Sequence, residues 1–192
     1  MNLVDFTNCT RSDIQPLVHA IGLLGDAVVG VELGVYQGAS FLTLLHNCPN
    51  IKTLHGVDTY KPYDDYLKIP YDGTVGLKID EPTAEITRAI SFTRQKYSGM
   101  MEKIVFHEDD SVKVSSKFDD ESIDFIFMDS YCSYDQARHE LEAWFPKIKK
   151  GGLFAGHDWD SSPIQQAVNE FRCSNKIFSR MIVYSNTWSW KK

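Results

Sequence analysis

The chain has 192 residues, of which 43% are apolar and 24% charged, and its formal net charge is −6. This composition is typical of a globular protein with one sizeable core. The negative charge and the lack of any block of lysine or arginine argue against nucleic acid as a partner, because phosphate neutralisation needs a basic face. No apolar run approaches the roughly 20 residues of a membrane span, so we expect no membrane partner.

The four cysteines are scattered and form no C-x-x-C pair, which argues against a structural zinc site. They are Cys9, Cys48, Cys132 and Cys173. Residues 1–10 lack a basic segment followed by an apolar one, so we expect no secretory signal. Free thiols in such a chain indicate a reducing compartment, and we expect a cytoplasmic protein.

Residues 10–24 are predicted to form a helix, with Thr10 or Ser12 as its cap and Pro16 in its first turn. Apolar residues recur at helical spacing and define one face. These are Ile14, Leu17, Val18, Ile21 and Leu24. We expect this N-terminal helical segment, residues 1–25, to cover a face of a sheet; the alternative is that it closes over a ligand.

The stretch from Val28 to Gly38 carries the first chemical motif. A short apolar run rich in β-branched residues predicts a buried strand, and Glu32, Gly34 and Gly38 follow in the pattern E-x-G-x-x-x-G before a helical segment. Glycine lets a backbone approach a ligand closely, and a helix start offers free N–H groups to an anionic group. The spacing is not the dinucleotide pattern G-x-G-x-x-G. The alternative is an ordinary strand-to-helix turn of another α/β protein.

A second strand is predicted over residues 53–58 and ends in Asp58. A carboxylate at this position can accept both ribose hydroxyls of an adenosine ligand. The alternative role for Asp58 is a helix cap or turn residue. Residues 60–100 are interpreted as an insertion, with a tyrosine-rich loop over 60–76 and a helix over 81–97. The loop either forms part of an acceptor pocket or packs locally on the surface.

The second half continues the alternation of strands and helices. Strands are predicted over 103–107, 122–129 and 153–156, and helices over 112–118, 133–145 and 163–171. Asp110 can cap the first of these helices, Gly151-Gly152 is interpreted as a turn, and residues 176–190 can form an antiparallel pair. The pattern predicts a single domain, residues 1–192, with a Rossmann-like doubly wound, mostly parallel seven-stranded sheet and helices on both faces.

Acidic residues stand at the ends of four predicted strands, and open parallel sheets bind ligands beyond those ends. They are Glu32, Asp58, Glu108 to Asp110, and Asp129. The pattern E-x-G-x-x-x-G resembles the first motif of class I S-adenosylmethionine-dependent methyltransferases. Residues 123–171 resemble a family of small methyltransferases of this class. The matching positions are Asp129, Ser133-Tyr134, Trp144, Gly151-Gly152 and Gly156-His157-Asp158.

The resemblance implies S-adenosylmethionine as cofactor and methyl transfer to a small-molecule acceptor, most readily to a hydroxyl. Glu32 or its neighbours would face the amine of the cofactor, Asp58 its ribose, and Asp110 its adenine. The full set of implied cofactor-binding residues is Glu32, Gly34, Tyr36, Gly38, Asp58, Asp110, Ser111 and Asp129.

Three residues are candidates for catalysis. His157 is the first candidate base, because its ordinary pKa lies near neutrality, although a structural histidine is the alternative. Asp129 can act as a base or orient the acceptor, and Asp158 can orient His157 or help to hold a cation.

One departure bears on metal use. The family often has Asp-Gly-Asp-His before Ser-Tyr, whereas this chain has Asp129-Ser130-Tyr131-Cys132. A divalent metal would be left with Asp129, Asp158 and Asp160 as oxygen ligands, which weakens that expectation. The competing hypotheses are a non-catalytic cofactor-binding module and a nicotinamide-dependent oxidoreductase. The acceptor and the oligomeric state stay open.

Overall fold

The computed structural model describes residues 11–36, 38–59 and 102–192. The predicted loop over 60–76 and helix over 81–97, together with Thr10, lie outside the described residues. The strands are β1 (Val28–Leu33), β2 (Ile51–Asp58), β3 (Ile104–Glu108), β4 (Ile123–Met128), β5 (Ile148–Gly156), β6 (Ile182–Tyr184) and β7 (Thr187–Lys191). The described helices are α1 (Gln15–Gly22), α2 (Ala39–Asn47), α3 (Ser111–Ser115), α4 (Tyr134–Trp144) and α5 (Ser162–Ser174).

The seven described strands form one sheet in the order β3-β2-β1-β4-β5-β7-β6. The five strands from β3 to β5 along this order are parallel, and β7 runs antiparallel to β5 and β6. This topology confirms the predicted fold class. The order reverses between β1 and β4, which is where such sheets open a crevice for a ligand.

The register brings the carboxyl ends of the parallel strands to one edge of the sheet, here called the carboxyl edge. Leu33 at the end of β1 pairs with Val57 of β2 and with Met128 of β4. Asp58 pairs with Glu108, and Met128 pairs with Gly156. Polar residues that follow different strands are therefore neighbours at this edge, as the sequence predicts.

Helices cover both faces of the sheet, and each face has its own apolar cluster. On one face α1 and α2 pack through Leu17, Ile21, Phe41 and Leu44, together with Ile14 just before α1. The leading helix thus covers the sheet, as expected. On the other face α4 and α5 pack through Leu141, Trp144, Val168 and Phe171. Trp188 and Trp190 of β7 are each 1% exposed and belong to this second cluster.

Two local predictions are wrong. Ser12 does not cap the first helix: residues 12–14 form a 3₁₀ turn before α1, and in the described part of the chain no side-chain hydrogen bond caps it. Gly151-Gly152 is not a turn between elements but an irregular part of β5, where Gly151 has a φ of 80°. The strand begins early because Ile148 pairs with Ile123 of β4, and residues 151 and 152 exchange backbone hydrogen bonds with Lys192, which lies far along the chain.

The antiparallel pair at the end of the chain is observed, but it is shorter than predicted, since residues 176–178 are outside any strand. None of the helices in the described ranges is long and apolar enough to cross a bilayer.

Candidate active site

The loop between β1 and α2 is shaped by three residues with left-handed backbone. Gly34, Tyr36 and Gly38 have φ values of 84°, 48° and 80°. A Cβ on Gly34 would overlap the carbonyl oxygen of Asp129 and lie 2.6 Å from the Cα of Ser130. The loop backbone therefore lies directly against the end of β4, where only glycine fits. Tyr36 adopts the same strained region, and the residue is 39% exposed.

Glu32 lies under this loop and is fully buried. Its Oε1 accepts a 2.5 Å hydrogen bond from the hydroxyl of Ser40 at the start of α2. Its Oε2 is buried without a hydrogen-bond partner among the residues that the structure describes. Burial raises the pKa of Glu32 well above its ordinary value, against the opposing effect of the Ser40 hydrogen bond. A buried polar atom without a partner is costly, so Oε2 is suited to a donor group on a ligand.

Asp58 connects the second strand to the same loop. Its Oδ2 accepts hydrogen bonds of 2.9 Å from the backbone N–H groups of both Val35 and Tyr36. The carboxylate thus fixes the conformation of the glycine loop from the neighbouring strand. The pattern of strand and acid predicts the position of Asp58, but not this contact.

Asp110 and Ser111 follow β3. Asp110 caps α3, since its Oδ1 accepts a 2.9 Å hydrogen bond from the N–H of Lys113. The alternative role considered for Asp110 is therefore observed. The hydroxyl of Ser111 points into the protein and donates to Oε1 of Glu140 at 2.5 Å.

Glu140 is a buried hub that the motifs do not indicate. It is fully buried on α4 and also accepts hydrogen bonds from the Ser130 hydroxyl at 2.7 Å and the Gln136 amide at 2.8 Å. It thereby joins the segment after β3 to the segment after β4. Its only sequence signal is its place on the apolar face of α4, between Ala137 and Trp144.

Charged side chains meet at the ends of β4 and β5. Asp129 Oδ2 accepts a 2.9 Å hydrogen bond from Nη1 of Arg11. His157 lies between two carboxylates, with Nδ1 2.9 Å from Oδ1 of Asp158 and Nε2 2.8 Å from Oδ2 of Asp13. We call these five residues the charged cluster. Arg11 and Asp13 come from the segment before α1, and no sequence motif indicates them.

The geometry fixes the charge of His157. A carboxylate only accepts hydrogen bonds, so both ring nitrogens must donate, and the ring is then an imidazolium. Burial alone would lower the pKa of His157, but hydrogen bonds to Asp129 and Asp158 and their negative charges outweigh it and raise the pKa to about 10. His157 therefore holds a proton at neutral pH in this arrangement.

Three comparisons with known proteins bear on the identity of the chain. The model of a family described as a methyltransferase domain matches residues 31–159. A comparison with curated proteins gave no match. Among solved structures, the O-methyltransferase NovP is similar with a TM-score of 0.65 and 20% identity, over 93% of this chain and 80% of that one.

Two further structures are similar. CalS11, described as a TDP-rhamnose 3′-O-methyltransferase of calicheamicin biosynthesis, has a TM-score of 0.61 and 13% identity, over 97% of this chain and 83% of that one. Cofactor-bound Rv0187 from MTB has a TM-score of 0.61 and 11% identity, over 94% of this chain and 81% of that one. At these identities the structures establish the fold, and the family match establishes the activity class. The chain belongs to the methyltransferase-domain family and is a class I S-adenosylmethionine-dependent methyltransferase.

Proposed function

We propose that this protein transfers the methyl group of S-adenosylmethionine to a hydroxyl of a small-molecule acceptor at the carboxyl edge. The observation that carries the proposal is the meeting of the glycine loop with Glu32, Asp58 and Asp129. The ends of β1, β2 and β4, which are far apart in sequence, bring these groups to neighbouring positions of the carboxyl edge. The strand order reverses between β1 and β4, and sheets of this kind bind their ligands at such a point.

The residues present suit an adenosyl ligand with a cationic amine. The buried Oε2 of Glu32 can accept a hydrogen bond from that amine, and the left-handed backbone of Gly34 and Gly38 shapes the loop beside it. Asp58 holds the loop and stands at the end of β2, the position for ribose. Asp110 follows β3 on the adenine side, where its carboxylate both caps α3 and is available to the exocyclic amine. Ser111 supports this segment through Glu140.

The sulfonium of S-adenosylmethionine supplies both the methyl group and its leaving group, so alignment of the acceptor is the main task of the protein. A hydroxyl also has to lose its proton as the new C–O bond forms and the C–S bond breaks. His157 already carries a proton, so we assign proton acceptance to Asp129. We assign to His157 and Asp158 the positioning of the acceptor beside Asp129. In this proposal Asp129 acts as the base, although the sequence favours His157 for that role.

The choice of a hydroxyl acceptor has two supports. Two of the similar structures are described as O-methyltransferases, one of them acting on a sugar nucleotide. The carboxylates of the charged cluster also suit an acceptor that must be deprotonated. We further propose one domain over residues 1–192, with the N-terminal helical segment and the 60–100 insertion as parts of it. The free thiols of Cys48, Cys132 and Cys173 support a cytoplasmic location.

The test uses methyl-labelled S-adenosylmethionine with matched panels of alcohols, phenols, sugar nucleotides and amines, and mass spectrometry of the products. We expect an O-methylated product with the native protein and a loss of at least about a hundredfold in rate with Asp129→Asn. The control is Asp160→Asn, which changes an exposed carboxyl nearby and should retain the rate. Methylation of amines alone, or equal rates for both variants, would contradict the proposal.

A further inference from the structure

The charged cluster contains three residues whose chemistry would suit a divalent cation. Ligand atoms of Asp129, His157 and Asp158 lie within 4.8 Å of one another. Carboxylate oxygens and imidazole nitrogens are common ligands of divalent metals. The decisive question is whether these atoms are available to a metal or are used by other parts of the chain.

The contacts in this chain do not fit a metal. Oδ2 of Asp129 is held by Arg11 at 2.9 Å. Both ring nitrogens of His157 face carboxylates and must donate protons, whereas a metal ligand needs a lone pair on nitrogen. A metal ion at this place would have to compete with Arg11 for Asp129, and His157 could bind the ion only after it had lost a proton.

Arg11 is also fixed in place rather than reaching Asp129 by chance. Its Nε and Nη2 donate to the two oxygens of Asp13 at 3.0 Å and 2.9 Å, which is a fork-to-fork contact. Asp13 is itself held by Nε2 of His157, and its carbonyl accepts from the hydroxyl of Thr187. The Arg11 side chain is 23% exposed and that of Asp129 is 14% exposed, so their ion pair is largely shielded from water.

We propose that Arg11 is a positioning residue that takes the place of a divalent cation beside Asp129, so that methyl transfer by this protein is independent of metal. The guanidinium holds one oxygen of Asp129 and so fixes the orientation of that carboxylate. Removal of Arg11 would leave Asp13, Asp129 and Asp158 around a single cation. The same cluster should then gain affinity for a divalent metal. This inference rests on the proposed function for its statement about catalysis, but not for its statement about metal binding.

The experiment compares Mn²⁺ binding by the whole chain, followed by electron paramagnetic resonance, in the native protein, Arg11→Gln, Arg11→Lys and the double variant Arg11→Gln/Asp129→Asn. We expect Arg11→Gln to bind Mn²⁺ at least about tenfold more tightly than the native protein, and the double variant to lose that gain. Arg11→Lys keeps the charge but not the fork contact with Asp13, and its Mn²⁺ affinity should stay close to that of the native protein. Arg138→Gln is the matched control, because Arg138 pairs with Glu142 on the exposed side of α4.

Activity supplies the second half of the test. The native protein should keep its methyl transfer rate after exhaustive treatment with EDTA, and Arg11→Gln should lose rate and regain part of it with added Mn²⁺. Tight Mn²⁺ binding by the native protein that depends on Asp129, or loss of its activity in EDTA with recovery on metal addition, would overturn the proposal. Equal Mn²⁺ affinity of Arg11→Gln and the native protein would also overturn it. Mn²⁺ binding is measured without an acceptor, so its outcome does not depend on whether the protein methylates hydroxyls. A failure of the proposed function can therefore be distinguished from a failure of this inference.

Discussion

Gly34 lies so close to Asp129 that the space between them has no room for a methyl group. The N–H of Gly34 donates to the carbonyl of Val57 in β2, and the N–H of Asp129 donates to the carbonyl of Leu33 in β1, each at 2.8 Å. The glycine loop is thus fastened to the strands on both sides of it. This contact sets the distance between the residues assigned to the cofactor and those assigned to the acceptor.

Gly34→Ala should therefore abolish cofactor binding as well as reduce stability. The new Cβ meets backbone atoms of Asp129 and Ser130, which cannot move without disturbing β4, and the backbone is left-handed. We expect a loss of more than about 3 kcal/mol in the free energy of unfolding, measured by urea denaturation. Calorimetry with S-adenosylhomocysteine should show no binding at concentrations that saturate the native protein.

Gly151→Ala is the matched control for this substitution. Gly151 has nearly the same backbone conformation, with a φ of 80°, but apart from its own and its two neighbours' atoms, no atom of the described residues lies within 4 Å of the added Cβ. Its cost should be the backbone strain alone, about 1 kcal/mol, with cofactor affinity unchanged. If the two variants lost stability and affinity equally, the close packing of Gly34 against β4 would not be the cause.

Glu140→Ala should be strongly destabilising and should loosen the adenine side of the site. The substitution leaves the hydroxyls of Ser111 and Ser130 without their acceptor, and the amide of Gln136 keeps only its 3.1 Å hydrogen bond to the Ser111 hydroxyl. We expect a loss of about 3 kcal/mol or more, and a weaker affinity for S-adenosylhomocysteine in the fraction that remains folded. Glu140→Gln keeps one acceptor oxygen and should recover about half of the loss in stability.

Glu142→Ala is the control on the same helix. Glu142 is half exposed and pairs with Arg138 at i,i+4, so its removal should change the free energy of unfolding by no more than about 0.5 kcal/mol. A small effect of Glu140→Ala, similar to that of Glu142→Ala, would show that the hub does not hold the two segments together.

The histidine pair on β2 and β3 predicts a dependence of stability on pH. Burial, and then the charge of His107, lower the pKa of His55 from 6.5 to about 4. Nδ1 of His55 lies 3.1 Å from Nε2 of His107, and the edge of Phe118 packs against both rings. The unfolded chain takes up a proton at His55 near pH 6.5, whereas the folded chain resists it down to about pH 4. Stability should therefore fall as the pH drops from 6.5 to 4.

The measurement compares urea denaturation of the native protein and His55→Gln across this pH range. The variant should show a shallower decline in the free energy of unfolding, because it lacks the group whose protonation differs between the two states. His139→Gln replaces an exposed histidine and should follow the native curve. Parallel curves for the native protein and His55→Gln would contradict the assignment.

Local sequence patterns are sufficient to predict the strand ends of this fold. An apolar run followed by an acid predicts the positions of Asp58 and Asp129, because a buried strand needs apolar residues and its exit needs polar ones. Glu32 differs, since it lies inside β1 and is fully buried. The same reasoning predicts the parallel sheet and the shared carboxyl edge. It is less successful at Gly151, where hydrogen bonds to Lys192 extend a strand through two glycines.

The contacts that complete the site are not local, and no pattern predicts them. Arg11 and Asp129 are 118 residues apart, and Asp13 and His157 are 144 residues apart. The inward direction of Ser111 likewise depends on Glu140, which comes from another helix. These contacts decide the charge of His157 and the availability of Asp129, so the assignment of catalytic roles needs the tertiary structure.

The most direct test of the account is isothermal titration calorimetry of S-adenosylmethionine and S-adenosylhomocysteine with the native protein, Asp58→Ala and His157→Ala. We predict binding of both ligands by the native protein. Asp58→Ala should weaken it by roughly ten- to a hundredfold, because the backbone N–H groups of Val35 and Tyr36 lose their acceptor, and His157→Ala by less than about threefold. Asp26→Ala, at an exposed position, is the control. No heat of binding for either ligand with the native protein, or equal losses in Asp58→Ala and His157→Ala, would contradict the account.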